Sequence, residues 1–265
     1  VNRIQKAIGL SPGSAMYHSN LSAVYYDMKQ YENVIASCRK ALELNPQFAD
    51  AYINMGLSLK YLGKPEEALS CYDNALKLRP DNAEIWFNRA GCLSVLGQSQ
   101  QAIESYDKAI ALKPDYPSAY FNRGNVFLTL GKHEDAINSY NLALKYRPDY
   151  VEALVNKGVS FQNREKLVEA ETCYRQVIAI RGDYLAAYTN LAALLKRQEK
   201  FQDAAECYEK AAQLNPGESA LCSEAGECRL KLYQFDKALN WFRKAMSLNP
   251  DNDRGFSQLF HQLQY

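Results

Sequence analysis

The chain is poor in the residues that would commit it to a chemistry. Of its 265 residues three are histidine, and His18, His133 and His261 stand at unrelated positions, none of them at a metal-ligand spacing from a cysteine or another histidine. The phosphate-cradling pattern G-x-x-x-x-G-K does not occur. No run approaches the roughly 18 consecutive apolar residues of a membrane span, and the first twenty residues lack the layout of a signal peptide. An excess of one charge is also missing: 31 lysines and arginines face 30 acidic residues, so a net charge of +1 gives no bulk attraction to nucleic acid or anionic lipid. The seven cysteines are odd in number, contain no C-x-x-C pair and sit in apolar patterns where a thiol acts as a small hydrophobe. That usage suits a reducing compartment, cytoplasm or nucleus. The chain is read as a non-enzyme without metal or cofactor.

Periodicity is abundant. Pro12, Pro46, Pro80, Pro114, Pro148, Pro216 and Pro250 lie on one lattice of 34 residues, with Gly182 at the remaining point, and these are seven of the nine prolines. Twelve residues before each point come Val34, Ala68, Ala102, Ala136, Ala170, Ala204 and Ala238. Four further on stand Cys38, Tyr72, Tyr106, Tyr140, Tyr174, Tyr208 and Phe242, then after three more Ala41, Ala75, Ala109, Ala143, Val177, Ala211 and Ala245. Spacings of four and three place each set on one face of a helix, small residues admitting a neighbour and the aromatic filling the space. A second pattern starts six residues past the lattice point: a bulky residue (His18, Tyr52, Trp86, Tyr120, Leu154, Tyr188, Cys222) and, four later, a small one (Ser22, Gly56, Ala90, Gly124, Gly158, Ala192, Gly226). Glycines in "GKP", "GQS" and "GKH" supply turns between the helices, and "PDN" at 80 to 82 offers a helix cap.

The unit "WFNRAGCLSVLGQSQQAIESYDKAIALKP" from Trp86, repeated at 34 residues, resembles the tetratricopeptide repeat, and the resemblance covers nearly the whole chain. It implies an all-α fold, a right-handed superhelical solenoid of antiparallel helix pairs whose first helices line a concave groove. One solenoid domain over 1–265 is expected, with seven full repeats starting near 15, 49, 83, 117, 151, 185 and 219. Residues 1–14 match the second helix of a truncated repeat. The segment 253–265, with Phe256, Leu259, Phe260 and Leu263 on one face, fits a terminal capping helix or the start of an eighth repeat.

Two residues past each bulky first-helix position stand Asn20, Asn54, Asn88, Asn122, Asn156 and Asn190, with Glu224 ending the series. A carboxamide carries both donor and acceptor, so such a ladder can hold the N–H and C=O groups of an extended peptide without reading its side chains. The ladder resembles one in the superhelical array of O-linked N-acetylglucosamine transferase. Contacts between adjacent helices are the competing use. Beside the ladder, Ile53, Leu57, Phe87, Phe121, Val155 and Val159 form an apolar strip, joined by Asn125. The candidate peptide-binding set is therefore Asn54, Asn88, Asn122, Asn156, Asn190 and Asn125 with those six apolar residues. Arg89 and Arg123, next to their asparagines, are expected at contacts between repeats. Lys196, Arg197 and Lys231 raise the alternatives of an acidic ligand portion or solvated helix faces. No first helix carries the lysine of the carboxylate clamp used by heat-shock co-chaperones of the family.

The resemblance points to a protein-interaction scaffold holding an extended peptide or partner segment. The alternative is the substrate-recognition arm of a larger enzyme such as a glycosyltransferase, and a less favoured one an RNA-binding helical repeat. Self-association through the open N-terminal edge is a further possibility.

Overall fold

A computed structural model describes residues 2–250, and the expected helix over 253–265 lies outside the described residues. Fifteen α-helices make up the described residues, which form an all-α helical-repeat solenoid. A lone α1 (Asn2–Leu10) precedes seven pairs: α2 (Ala15–Asp27) and α3 (Tyr31–Leu44), α4 (Ala49–Tyr61) and α5 (Pro65–Leu78), α6 (Ala83–Val95) and α7 (Ser99–Leu112), α8 (Pro117–Thr129) and α9 (His133–Tyr146). Then come α10 (Val151–Asn163) and α11 (Leu167–Ile180), α12 (Leu185–Arg197) and α13 (Phe201–Leu214), α14 (Ser219–Lys231) and α15 (Phe235–Leu248). The chain divides between Tyr146 and Arg147 into two compact units, the first holding α1 to α9 and the second α10 to α15.

In four of the pairs an aromatic of the second helix occupies a glycine notch of the first. A Cβ added to Gly56 would lie 2.8 Å from Cε1 of Tyr72, and at Gly124 it would lie 2.6 Å from Cε1 of Tyr140. In the second unit the same notch recurs, with 2.6 Å between a Cβ on Gly158 and Cε1 of Tyr174, and Phe242 filling the notch at Gly226. Tyr72, Tyr140 and Tyr174 are wholly buried, and each ring so removed from water contributes about 2–3 kcal/mol. Ala68, Ala102, Ala136, Ala170, Ala204 and Ala238 are also fully buried, because a larger side chain would separate the helices.

The turn after each first helix has one geometry whatever residue supplies it. Gly63, Gly97 and Gly131 adopt φ of 71°, 73° and 69°, while Lys29, Glu165, Glu199 and Tyr233 adopt 56°, 59°, 60° and 58°. The following N–H closes the helix end in both groups: Gln98 donates to Leu93 O at 2.9 Å and Lys200 to Leu195 O at 2.9 Å. Where glycine is absent the chain holds an L residue in the left-handed region, at a local cost of about 1 kcal/mol that the surrounding packing offsets.

The lattice point also has a physical role. In three repeats its carbonyl faces the bulky first-helix residue six positions on: Trp86 Nε1 donates to Pro80 O at 2.8 Å, Tyr188 Oη to Gly182 O at 3.1 Å, and the His18 ring lies 3.4 Å from Pro12 O. Gly182 substitutes for proline because the bond needs only a carbonyl.

Candidate functional site

Each first helix turns its bulky and small residues toward its partner and leaves the phase of the asparagines on another face. In the first unit Ile53, Asn54 and Leu57 on α4, Phe87 and Asn88 on α6, and Phe121, Asn122 and Asn125 on α8 are all half-buried. In the second unit Asn156 and Val159 on α10 and Asn190 on α12 are half-buried as well. Val155 is different. At 7% exposure it is a core residue, so it backs this face and does not line it, contrary to its place in the apolar strip.

The remaining apolar members are also partly spent on the fold. Ile53 packs against the cluster containing Tyr72 and Ile85, and Phe87 against the one containing Leu93 and Tyr106. Phe87 lies 4.9 Å from the ring of Tyr116 and 5.9 Å from that of Tyr106, and Phe121 lies 6.1 Å from that of Tyr140. The helix that follows in the stack thus covers one side of each ring, something the spacing of residues within a single helix could not reveal.

Several ladder residues bridge repeats. Asn54 Nδ2 donates to Ser22 Oγ at 3.1 Å, and Ser22 in turn donates to Ser19 O at 2.7 Å. Asn122 hydrogen-bonds the buried hydroxyl of Tyr106, whose pKa is raised by burial and lowered in part by that bond. Within a single repeat, Asn125 Oδ1, beside the ladder, accepts from Tyr140 Oη at 2.8 Å. The hydroxyl of Tyr72, by contrast, is buried without a partner, so Asn88 does not engage the tyrosine of the preceding repeat as Asn122 does. A carboxamide offers two N–H donors and two lone pairs, and one bond between repeats does not exhaust it.

At the end of the second unit the face becomes ionic. Lys196 Nζ donates to Glu224 Oε2 and to Glu227 Oε2, both at 2.7 Å. Burial of Lys196 opposes its charge, but the two carboxylates outweigh this and raise its pKa. Tyr208, raised by burial, also hydrogen-bonds Glu224. Arg197 pairs with Glu165 and Lys200 with Glu171 at 3.2 Å, so these cations are answered within the chain and do not form an open acceptor for an acidic ligand. Glu171 occupies a phase that is apolar elsewhere. Its burial would raise its pKa, yet hydrogen bonds from Arg175 and Lys200 leave it lowered.

Arg89 and Arg123 are where the sequence places them, between repeats. Arg89 donates through Nε to Asp73 Oδ1 and through Nη1 to Ser105 Oγ, each at 2.7 Å, and Arg123 joins Asp107 and Ser139 in the same manner. Sequence reading passed over Arg229, which stands at a phase otherwise held by Tyr25, Leu59, Leu93, Phe127, Phe161 and Leu195. It is buried at 4% exposure, gripping Glu209 by two bonds of 2.7 and 2.9 Å, with Gln202 and Gln234 each at 3.0 Å. An arginine on an apolar phase three positions after the notch residue Gly226 was the available signal.

Nucleophilic chemistry finds little support in the described residues. Burial pushes the thiols of Cys38, Cys207 and Cys228 up to about 11 and that of Cys71 to about 12, leaving no thiolate at neutral pH. Residues 9–13, Gly-Leu-Ser-Pro-Gly, have the spacing of a nucleophile elbow, but they join α1 to α2 and no strand enters the turn. Among the described residues no group of three His, Cys, Asp or Glu side chains could hold a metal ion, and no helix is long and apolar enough to cross a membrane.

Family models described as tetratricopeptide or TPR repeats match residues 23–63, 53–117, 95–141, 124–164, 185–218 and 220–252. The chain belongs to the tetratricopeptide repeat family. Among solved structures, the C-terminal part of a TPR repeat-containing protein from Cytophaga hutchinsonii superposes with a TM-score of 0.78 at 18% identity, over 90% of this chain and 98% of that one. A tetratricopeptide repeat protein from Parabacteroides merdae gives 0.67 at 21% identity, covering 93% and 98%. YrrB, described as a TPR protein with an unusual peptide-binding site, gives 0.62 at 23% identity, covering 69% and 95%. A search of curated proteins found no match.

Proposed function

We propose that this tetratricopeptide repeat protein is a non-catalytic interaction scaffold that holds an extended segment of a partner protein against its first helices. The observation carrying the reading is a half-buried asparagine at one phase within each unit, on α4, α6 and α8 of the first and on α10 and α12 of the second. Polar groups repeating at the pitch of the stack suit a ligand whose own polar groups repeat, and a peptide backbone is such a ligand. The structural relative YrrB, whose description includes a peptide-binding site, supports the same use of the architecture. The bonds of Asn54 to Ser22 and Asn122 to Tyr106 prepare the reading, since an anchored carboxamide loses less side-chain entropy when a ligand arrives. Leu57 and the half-buried Phe87 and Phe121 would then select partner side chains on the first unit, and Val159 with the Lys196, Glu224 and Glu227 group would do so on the second.

The test is selection of unstructured peptides from a random display library on the intact chain, followed by Asn88→Ala, Asn122→Ala and Asn156→Ala together. Loss of two backbone bonds or more should weaken the selected peptides by about tenfold or greater, with the circular dichroism spectrum unchanged and a stability loss of about 1–3 kcal/mol from the stranded Tyr106 hydroxyl, which Asn122→Ala alone should reproduce without a comparable loss of binding. Peptides that bind the triple variant equally well would overturn the assignment, as would an Asn122→Ala variant that loses as much binding as the triple one.

A further inference from the structure

On the side of α6 away from Phe87 and Asn88, the first unit contains a cavity of about 470 Å³, within the range of roughly 300–1,000 Å³ typical of ligand pockets. Its walls come from α5, α6 and α7, with Leu76 and the indole of Trp86 as the apolar surface and Arg89 and Ser105 among its polar groups. The Arg89 guanidinium lies 5.8 Å from the Trp86 ring and is fixed by Asp73 and Ser105, so the indole has a rigid polar border. Trp86 is half-buried, and its Nε1 is already committed to Pro80 O at 2.8 Å.

The next repeat shows what belongs on such a surface. Tyr120, the counterpart of Trp86, is stacked by Tyr146 with ring centroids 5.9 Å apart and planes at 12°, while Arg123 borders it at 5.5 Å as Arg89 borders Trp86. With that cover Tyr120 falls to 6% exposure. Thirty-four residues before Tyr146 the chain has Leu112, itself 43% exposed, and before Leu142 it has Lys108, which lines the cavity. The ring that the protein supplies to itself in one repeat is missing in the other, and the cavity opens beside Trp86 and Lys108, one helical turn before Leu112. The rim cations Lys77 and Lys108, both exposed, are not matched by an equal number of open carboxylates, because Asp73 is held by Arg89 and leaves Glu104 alone.

We propose that this cavity is a second binding site, distinct from the asparagine face, which takes an aromatic side chain flanked by carboxylates from an acidic segment of a partner protein. The ring stacks on Trp86 as Tyr146 stacks on Tyr120, and the carboxylates meet Lys77 and Lys108. Binding here is independent of the asparagine ladder, so either site can be lost alone.

The probe is N-acetyl-Asp-Tyr-Asp-amide, titrated into the whole ¹⁵N-labelled chain while the two indole N–H resonances, of Trp86 and Trp241, are followed. A saturable shift confined to Trp86 is expected. The peptide with alanine for tyrosine should bind about tenfold more weakly for want of the aromatic pair, and the peptide with lysine for both aspartates should show a comparable loss. Leu112→Tyr, which restores the ring found in the next repeat, should abolish the shift and leave the helical spectrum intact. If that variant fails to fold, Lys108→Glu must weaken the aspartate peptide in its place. Asn88→Ala should change nothing at this site. The proposal is overturned by no saturable shift at Trp86, by equal binding of the alanine or lysine peptide, or by an unaltered response in Leu112→Tyr.

Discussion

The two units are built to one plan and finished differently. The first closes three of its four turns with Gly63, Gly97 and Gly131 and the fourth with Lys29, joins its repeats through half-buried Arg89 and Arg123, and presents Ile53, Phe87 and Phe121 beside its asparagines. The second uses Glu165, Glu199 and Tyr233 in the same turns, buries Arg229 completely, and ends its asparagine series in Lys196, Glu224 and Glu227. The shared part is the packing of aromatics into notches, which each repeat needs to bury its helices. What varies lies on surfaces and between repeats, where only nearest neighbours constrain the choice.

The strongest way to break this comparison is at the arginines. Arg229→Leu restores a residue found at its phase in other repeats but strands Glu209, which also accepts from Trp241 Nε1 at 3.0 Å. The expected loss is about 3 kcal/mol, read by chemical denaturation, with most of it recovered when Glu209→Gln is added. Arg89→Ala, acting on a pair whose aspartate is 45% exposed, should cost nearer 1 kcal/mol. Similar losses at the two positions would show that burial does not separate them.

The notches should behave alike in both units. Gly124→Ala and Gly158→Ala each force a Cβ to 2.6 Å from a tyrosine carbon, an overpacking worth roughly 1–3 kcal/mol. A large difference between the two melting shifts would mean that the plan is less uniform than the shared distance indicates. The turns should differ in sign and by least. Glu199→Gly relieves a left-handed glutamate and should stabilise by about 0.5 kcal/mol, whereas Gly97→Glu should destabilise by about 1 kcal/mol, both measurable by thermal melting.

The fold was legible because its determinants repeat. A notch glycine, its aromatic and the buried alanines recur every 34 residues, and seven copies average out local drift such as Gly182 or Glu171. Helix phase also sufficed to put Arg89 and Arg123 between repeats. The candidate face was harder to read, since exposure depends on the neighbouring repeat. Val155 shares a phase with Phe87 and Phe121 yet is buried, and Lys196 looked like an open cation until Glu224 and Glu227 closed on it. The Trp86 cavity was invisible for a related reason: its walls come from three helices of two repeats, and the absence of a stacking ring at Leu112 leaves no mark in a repeat pattern.

The bond from the bulky first-helix residue to the lattice carbonyl carries one more consequence. Histidine, tryptophan and tyrosine all serve as its partner, and glycine can stand where proline usually does, because the carbonyl belongs to the main chain and every amino acid brings one. The acceptor half of this bond is therefore a group that no point mutation can delete, and only the donor, the ring six residues on, is left for the sequence to keep from copy to copy or to give up, as at Leu154.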